Sequence, residues 1–121
     1  MADVVATIPM HFWREWCAEG DAVGEPHDPD DEWYYPVGQR PRLGPGERVY
    51  IVAHGRLRGY APLVRVEPPT WDDRRWRLIR AGGAVAVTIP EPIKGFQGWR
   101  YRWWRREDEV PFPGWRTEGV R

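Results

Sequence analysis

The chain has 121 residues, a formal net charge of zero and a single cysteine, Cys17. This length is typical of one domain, and one cysteine excludes an internal disulfide and favours a reducing compartment. No apolar stretch approaches the ~20 residues of a membrane span, and residues 1–9 lack the features of a secretory signal. We therefore expect one cytoplasmic domain, residues 1–121, without membrane contact.

Charge is distributed unevenly along the chain. Residues 1–39 carry nine acidic side chains and one arginine, a net charge of −8, whereas residues 40–106 carry 15 basic and five acidic side chains, a net charge of +10. Residues 107–121 have a net charge of −2. The basic segment could attract an anionic polymer, or the acidic first third could fold against it and cancel its field.

A strand and a helix are predicted at the start of the chain. Residues 3–8 form a β-branched run that ends at Pro9, which indicates a strand. Residues 11–19 have helical spacing, and Gly20 is a suitable C-terminal stop. The predicted apolar face of this helix holds Phe12, Trp13, Trp16 and Cys17.

The next segments contain many turn residues. Residues 21–32 are acidic and predict an exposed loop, and residues 33–35 predict a short aromatic strand that Pro36 stops. Residues 38–46, rich in proline and glycine, predict a connector without regular structure.

A hairpin is predicted in the middle of the chain. Residues 48–53 and 56–67 form its strands, and His54 and Gly55 form its two-residue turn. Leu57 is expected to point inward with Arg56 and Arg58 outward, but further on Val64 and Val66 are expected to point inward. This change of alternation predicts a bulge or bend near Pro62.

Three more strands are predicted, at residues 76–80, 84–89 and 99–106. In the last of them Trp99, Tyr101 and Trp103 share one face, and Arg100, Arg102, Trp104 and Arg106 share the other. Many short strands separated by turns favour a mixed α+β, mainly β fold: a small barrel of about six strands with one or two short helices.

Two segments resemble PUA-like domains, including the ASCH and EVE branches. The run Pro45-Gly46-Glu47-Arg48-Val49-Tyr50-Ile51 is similar to their proline–glycine–acid element before an apolar strand. The run Gly55-Arg56-Leu57-Arg58-Gly59-Tyr60-Ala61 is similar to the strand that follows. The resemblance covers residues 4–67 and implies a pseudo-barrel with a role in RNA binding, modified-base reading or, for ASCH proteins, amide hydrolysis on a modified nucleoside.

Arginine and aromatic side chains form the first candidate site. The outer face of one predicted strand holds Arg56, Arg58 and Tyr60, and that of another holds Arg100, Arg102 and Trp104. Single-stranded bases stack on aromatic rings for ~1–3 kcal/mol each, while arginine neutralises phosphates. The alternative is that the nine tryptophans mostly fill the core and the arginines only coat the strands.

The resemblance implies a second candidate site in the groove beside the helix. Aromatic residues expected around this groove are Trp13, Trp16, Tyr34 and Tyr35. A flipped base could stack on Trp13 or Tyr34 and bond through its edge to Arg14. The alternative is that these rings belong to the core.

Catalytic and metal-binding patterns are weak. His11 and Cys17 point in different directions on a helix, so neither activates the other. The acids from Asp28 to Glu32 imitate the start of a calcium loop, but Trp33 stands where that loop requires glycine. We expect no cofactor and no metal.

The leading prediction is therefore a non-catalytic module that binds nucleic acid, RNA or single-stranded or modified nucleic acid, and that is a monomer or a weak homo-oligomer. One alternative is an ASCH-like hydrolase that pairs Glu15 or another carboxylate with Lys94 or an arginine. The expected ASCH arrangement of lysine and glutamate near the first helix is not present. Another alternative is a protein-interaction domain that self-associates through exposed tryptophans.

Overall fold

A computed structural model describes residues 2–21, 23 and 32–120. The elements in chain order are β1 (Val4–Thr7), α1 (Met10–Glu19), β2 (Glu32–Val37), β3 (Arg48–Ala53), β4 (Arg56–Glu67), β5 (Trp76–Ala81), β6 (Val87–Thr88), β7 (Trp99–Tyr101), a 3₁₀ turn (Arg106–Asp108) and β8 (Val110–Pro111). None of the described helices is long and apolar enough to cross a membrane. Most of the predicted acidic loop, residues 21–32, and of its calcium-like pattern lies outside the described residues.

Six strands form one sheet in the order β2-β5-β4-β3-β1-β7, and β6 pairs separately with β8. The neighbours in the sheet are antiparallel except β1 and β3, which run parallel because α1 and β2 intervene between them in the chain. The sheet curls into a half-barrel. The predicted mixed α+β, mainly β fold with a short helix is therefore confirmed.

The helix covers one face of this sheet. Trp13 and Trp16 are buried and pack in one cluster with Ile51 of β3 and Ala61 of β4. The helix ends at Gly20, whose φ of 82° is in the region that favours glycine, and its N–H donates to the carbonyl of Trp16. The predicted apolar face and C-terminal stop of the helix are both confirmed.

The opposite face of the sheet is also covered, by the chain after β5. Val52 and Tyr50 alternate with Ile51 along β3 and therefore point away from α1. They pack against Ile89, Ile93 and other apolar side chains from the second half of the chain. The centre of the sheet is consequently buried on both sides, which leaves few outward positions on β3 and β4.

The chain crosses closely over β4 at one glycine. The backbones of Tyr60 and Val85 exchange two hydrogen bonds, of 2.9 and 3.1 Å. A Cβ on Gly59 would lie 2.5 Å from the carbonyl oxygen of Val85. Gly59 therefore allows the second half of the chain to pack onto the sheet.

Several predicted strand limits are wrong. Strand β2 continues through Pro36. Proline has no backbone N–H, and β2 tolerates this because it is an edge strand, one side of which forms no inter-strand hydrogen bonds. The predicted strand 84–89 is regular only at Val87–Thr88. The predicted strand 99–106 ends at Tyr101, since Trp104 turns into the core against Tyr50.

The central hairpin has the predicted strands, and its turn at His54 and Gly55 has φ values of 51° and 76°, as a two-residue turn requires. A bulge lies near Pro62, as predicted, and a second bulge in β4 was not predicted. The pairing shifts register opposite Ile51 and Val52, where Arg58 is the extra residue of β4, and shifts again between Leu63 and Arg65. Two bulges flank Pro62, and each interrupts the alternation of side chains along β4.

Candidate functional site

Arg58 does not lie on the outer surface, where the alternation of β4 placed it. It points to the face opposite Leu57, as the alternation predicts, but α1 and the C-terminal segment with Phe112 cover that face, so Arg58 is fully buried. Its guanidinium donates to the carbonyls of Ala53 at 2.8 Å, Trp115 at 3.0 Å and His54 at 3.3 Å. Burial lowers the pKa of Arg58. The side chain joins the hairpin turn to the C-terminal segment and cannot reach a phosphate.

Arg56 and Arg102 are also held by internal partners. Arg56 pairs with Glu118, and its guanidinium lies 4.7 Å from the ring centre of Phe112. Arg102 donates to Asp3 at 2.9 Å and to the carbonyl of Trp104. Both are only partly exposed, so these contacts compete with any phosphate that they would hold.

Of the two predicted faces, only Tyr60 and Trp104 come together, in a packed cluster, whereas Arg56 and Arg58 lie on the other side of β4 beside Phe112. Tyr50 lies between Tyr60 and Trp104, with ring centres 5.3 and 5.2 Å away. Trp104 is 7% exposed, and the Arg48 guanidinium covers Tyr60 at 4.0 Å from its ring centre. The expectation that Trp104 points outward is wrong, because β7 ends before it and the chain turns inward.

The groove beside α1 is nearly filled. Trp13 is 3% exposed and packs edge-on against Trp115, with ring centres 5.1 Å apart, so it offers no free face to a base. The cavity between α1 and β2 has a volume of about 30 Å³ and is lined by Trp16, Tyr35 and Arg80 among others. That is the volume of roughly one water molecule.

Tyr34 and Tyr35 lie on opposite faces of β2. The Tyr35 hydroxyl donates to the carbonyl of Thr7 at 3.1 Å, and burial raises its pKa. Tyr34 is 56% exposed on the side away from α1, where the Arg77 guanidinium lies 5.6 Å from its ring centre. Arg14 is exposed on α1. The structure therefore does not bring Trp13, Arg14 and Tyr34 together around one ligand.

Three buried carboxylates are each matched by arginine. Asp3 bonds to Arg102 and Arg106, Glu19 to Arg80, and Glu109 to Arg48. Burial alone raises the pKa of Asp3, but hydrogen bonds from Arg106, the Arg48 backbone and Arg102 outweigh it and lower this pKa. For Tyr50, burial and its hydrogen bond to Glu109 raise the pKa. The acidic and basic parts of the chain thus neutralise each other at several internal positions.

Free cations and exposed rings come together at β7, an edge strand. Arg100 is exposed, and its guanidinium lies 4.4 Å from the ring centre of Phe96. The Phe96 ring contacts that of Trp103 edge-on, with centres 6.4 Å apart, and Trp103 is 47% exposed. Glu91 accepts from the Trp103 indole N–H at 3.3 Å, and Arg100 has no ion pair with any carboxylate in the described residues.

The loop between β2 and β3 lies beside the other face of the same edge strand, because Tyr101 and Arg100 are consecutive residues of β7 and point to opposite sides. Tyr101 is 41% exposed, and its hydroxyl accepts a hydrogen bond from the Arg42 N–H at 3.0 Å. The Arg40 guanidinium lies 5.3 Å from the ring centre of Trp76. We call the two sides of this sheet edge together the β7 band, made up of Arg40, Arg42, Phe96, Arg100, Tyr101 and Trp103.

The sequence indicated only part of this surface. Arg100 was among the predicted phosphate-binding residues, and it is exposed as expected. Trp103 and Tyr101 were expected on the inner face of a longer strand, while Arg40 and Arg42 lay in a segment interpreted as a connector. The +10 charge of residues 40–106 was the one signal that included all of the cations.

The groups required for hydrolysis are not assembled. Lys94 and Glu15 are both exposed, and neither forms an ion pair within the part of the chain that the structure describes. Within that same part, no three histidine, cysteine or acidic side chains are grouped to hold a metal ion.

Comparison of the chain with protein-family models, with curated proteins and with solved structures gives no match.

Proposed function

We propose that this protein is a non-catalytic module that binds single-stranded nucleic acid, RNA in the first place, through the β7 band. The observation that supports the proposal is that Arg42 and Arg100, which form no ion pair within the described residues, lie at the same sheet edge as the exposed rings of Tyr101 and Trp103. Arg100 and Arg42 would hold phosphates, and Trp103 and Tyr101 would stack bases. Each stacked base contributes ~1–3 kcal/mol, and guanidinium groups supply the salt-dependent attraction to the backbone.

The geometry favours a flexible strand over a duplex. The rings along this edge stand at large angles to one another, 65° between Phe96 and Trp103 and 74° between Trp99 and Tyr101. Unstacked bases can follow such a surface one at a time, whereas a duplex keeps its bases stacked and unavailable. The resemblance to PUA-like domains agrees with a nucleic-acid ligand but carries none of this argument.

The proposal is tested with fluorescently labelled uridine and thymidine oligonucleotides at low salt. We expect anisotropy titrations to show binding that Arg100→Gln and Trp103→Ala each weaken. Arg75→Gln is the matched control, because Arg75 is exposed but bonded to Asp73 at 3.0 Å. Absence of binding at low salt, or equal loss in the control, would refute the proposal.

A second candidate function, self-association, is favoured by one observation. Trp71 is 96% exposed in the turn between β4 and β5. This turn is ordered by the Thr70 N–H, which donates to the Asp73 carbonyl at 2.9 Å. Exposed tryptophans are frequent at protein interfaces. Sedimentation of the wild type and of Trp71→Ser would show whether dimers form and whether they depend on this ring.

A further inference from the structure

The loop that contributes Arg40 and Arg42 to the β7 band also forms an open cleft of about 450 Å³. Its lining residues are Arg40, Pro41, Arg42, Leu43 and Glu47. This volume is in the usual range for small-molecule sites, ~300–1,000 Å³.

The cleft is preformed by contacts at both ends of the loop. The Trp99 indole N–H donates to the Gln39 carbonyl at 3.0 Å, and Pro41 is fully buried. At the other end the Glu47 N–H donates to the Gly44 carbonyl at 3.1 Å. A ligand would therefore meet a fixed loop and would not have to order it.

Glu47 differs from the other buried carboxylates described above. It is 9% exposed, but its one side-chain partner within the described residues is the Gly44 N–H, 3.0 Å from Oε1. Asp3, Glu19 and Glu109 each bond to at least one arginine. No buried side-chain oxygen of the described residues lacks a hydrogen-bond partner, so the Glu47 oxygen that is not bonded to Gly44 reaches the cleft, where a ligand N–H could bind it.

The two arginines of the cleft are equally without acidic partners in the described residues. Arg42 is exposed and engages Tyr101 through its backbone, and Arg40 stacks on Trp76. The cleft thus presents two cationic groups beside an acceptor-only carboxylate. A complementary ligand has an anionic group and, at a short distance, N–H donors.

We propose that this cleft binds a guanine nucleotide, with the base edge on Glu47 and the phosphate on Arg40 and Arg42. Guanine presents neighbouring imino and amino N–H groups, which match the two oxygens of a carboxylate, and each oxygen has two acceptor sites. Adenine and cytosine place a ring acceptor beside their amino group, and uracil places carbonyls beside its imino group. The inference rests on the proposed function, since it names the base that the same surface would recognise.

The test measures binding of GMP, AMP, UMP and inorganic phosphate to the full chain at low salt by calorimetry. We expect GMP to bind at least about tenfold more tightly than AMP or UMP, because two charge-assisted hydrogen bonds discriminate between bases. Glu47→Gln keeps an acceptor for the Gly44 N–H but replaces one carboxylate oxygen by a donor. It should abolish the preference for GMP and leave the affinity for phosphate unchanged.

Arg42→Gln provides a second variant on an exposed side chain, and it should weaken all three nucleotides and phosphate together. Equal affinities of the wild type for the three nucleotides would overturn the inference, as would an unchanged GMP preference in folded Glu47→Gln. Salt-dependent binding of a uridine oligonucleotide without GMP preference refutes the inference alone. GMP preference without oligonucleotide binding refutes the proposed function alone.

Discussion

Replacement of Arg58 by methionine should destabilise the fold strongly, whereas the same replacement of an exposed arginine should have little effect. The side chain is fully buried and makes two short hydrogen bonds, to the carbonyls of Ala53 and Trp115. Hydrogen bonds that involve a charged group contribute ~1.5–3 kcal/mol each, so the expected loss is ~3–6 kcal/mol in the free energy of unfolding. Urea unfolding followed by tryptophan fluorescence measures it, and the midpoint should fall by at least about 1 M.

Arg100→Met is the matched control for this prediction. Arg100 is exposed on the edge strand β7, so its loss should change the free energy of unfolding by no more than ~0.5 kcal/mol. Arg58→Lys should be destabilised as well, because one ammonium group cannot reach the three carbonyls that the guanidinium contacts. A change within ~0.5 kcal/mol for Arg58→Met would show that the side chain is not buried and would contradict its packing beneath α1 and the C-terminal segment.

Three further predictions concern the packing and the buried charges. Gly59→Ala should cost ~1–3 kcal/mol of unfolding free energy because its methyl group would meet the Val85 backbone, whereas Gly38→Ala, with no atom within 4 Å, should be neutral in the same urea titration. Asp3 has a lowered pKa, so its stabilising effect is present at neutral pH and is lost as pH falls below its usual value of 3.8. The difference in urea midpoint between the wild type and Asp3→Asn should therefore shrink in acid. Arg80→Met should lower the free energy of unfolding by ~3–5 kcal/mol, because Glu19 is left buried without its cation. Addition of Glu19→Gln to this variant should recover part of that loss, and thermal unfolding measures both effects.

The elements that are determined by residues close together in the sequence were predictable. Strands β3 and β4 have the predicted limits, and His54 with Gly55 forms the turn, since alternation and turn chemistry are local properties. The helix and its end at Gly20 follow from spacing and one glycine. These local features were sufficient to predict the mainly β fold class.

The exposure of the candidate site residues depended on distant parts of the chain and could not be predicted. Arg58 lies opposite Leu57 as the alternation indicates, but α1 and the C-terminal segment cover that face, which no local pattern shows. The bulge opposite Ile51 brings Tyr60 to the same side as Leu57, and nothing in the alternation of β4 shows where an extra residue is inserted. Trp104 is buried because it packs on Tyr50, more than 50 residues earlier. Arg40 and Arg42 became candidates only when the structure placed their loop beside β7.

The salt dependence of oligonucleotide binding tests the central claim most directly. For single strands, each phosphate that a cation neutralises contributes about 0.7 to the slope of log affinity against log salt concentration. We predict a salt-dependent affinity for a uridine oligonucleotide whose slope falls by about 1.4 when Arg42 and Arg100 are both replaced by glutamine. An unchanged slope in this double variant, or no binding by the wild type at low salt, would contradict the account.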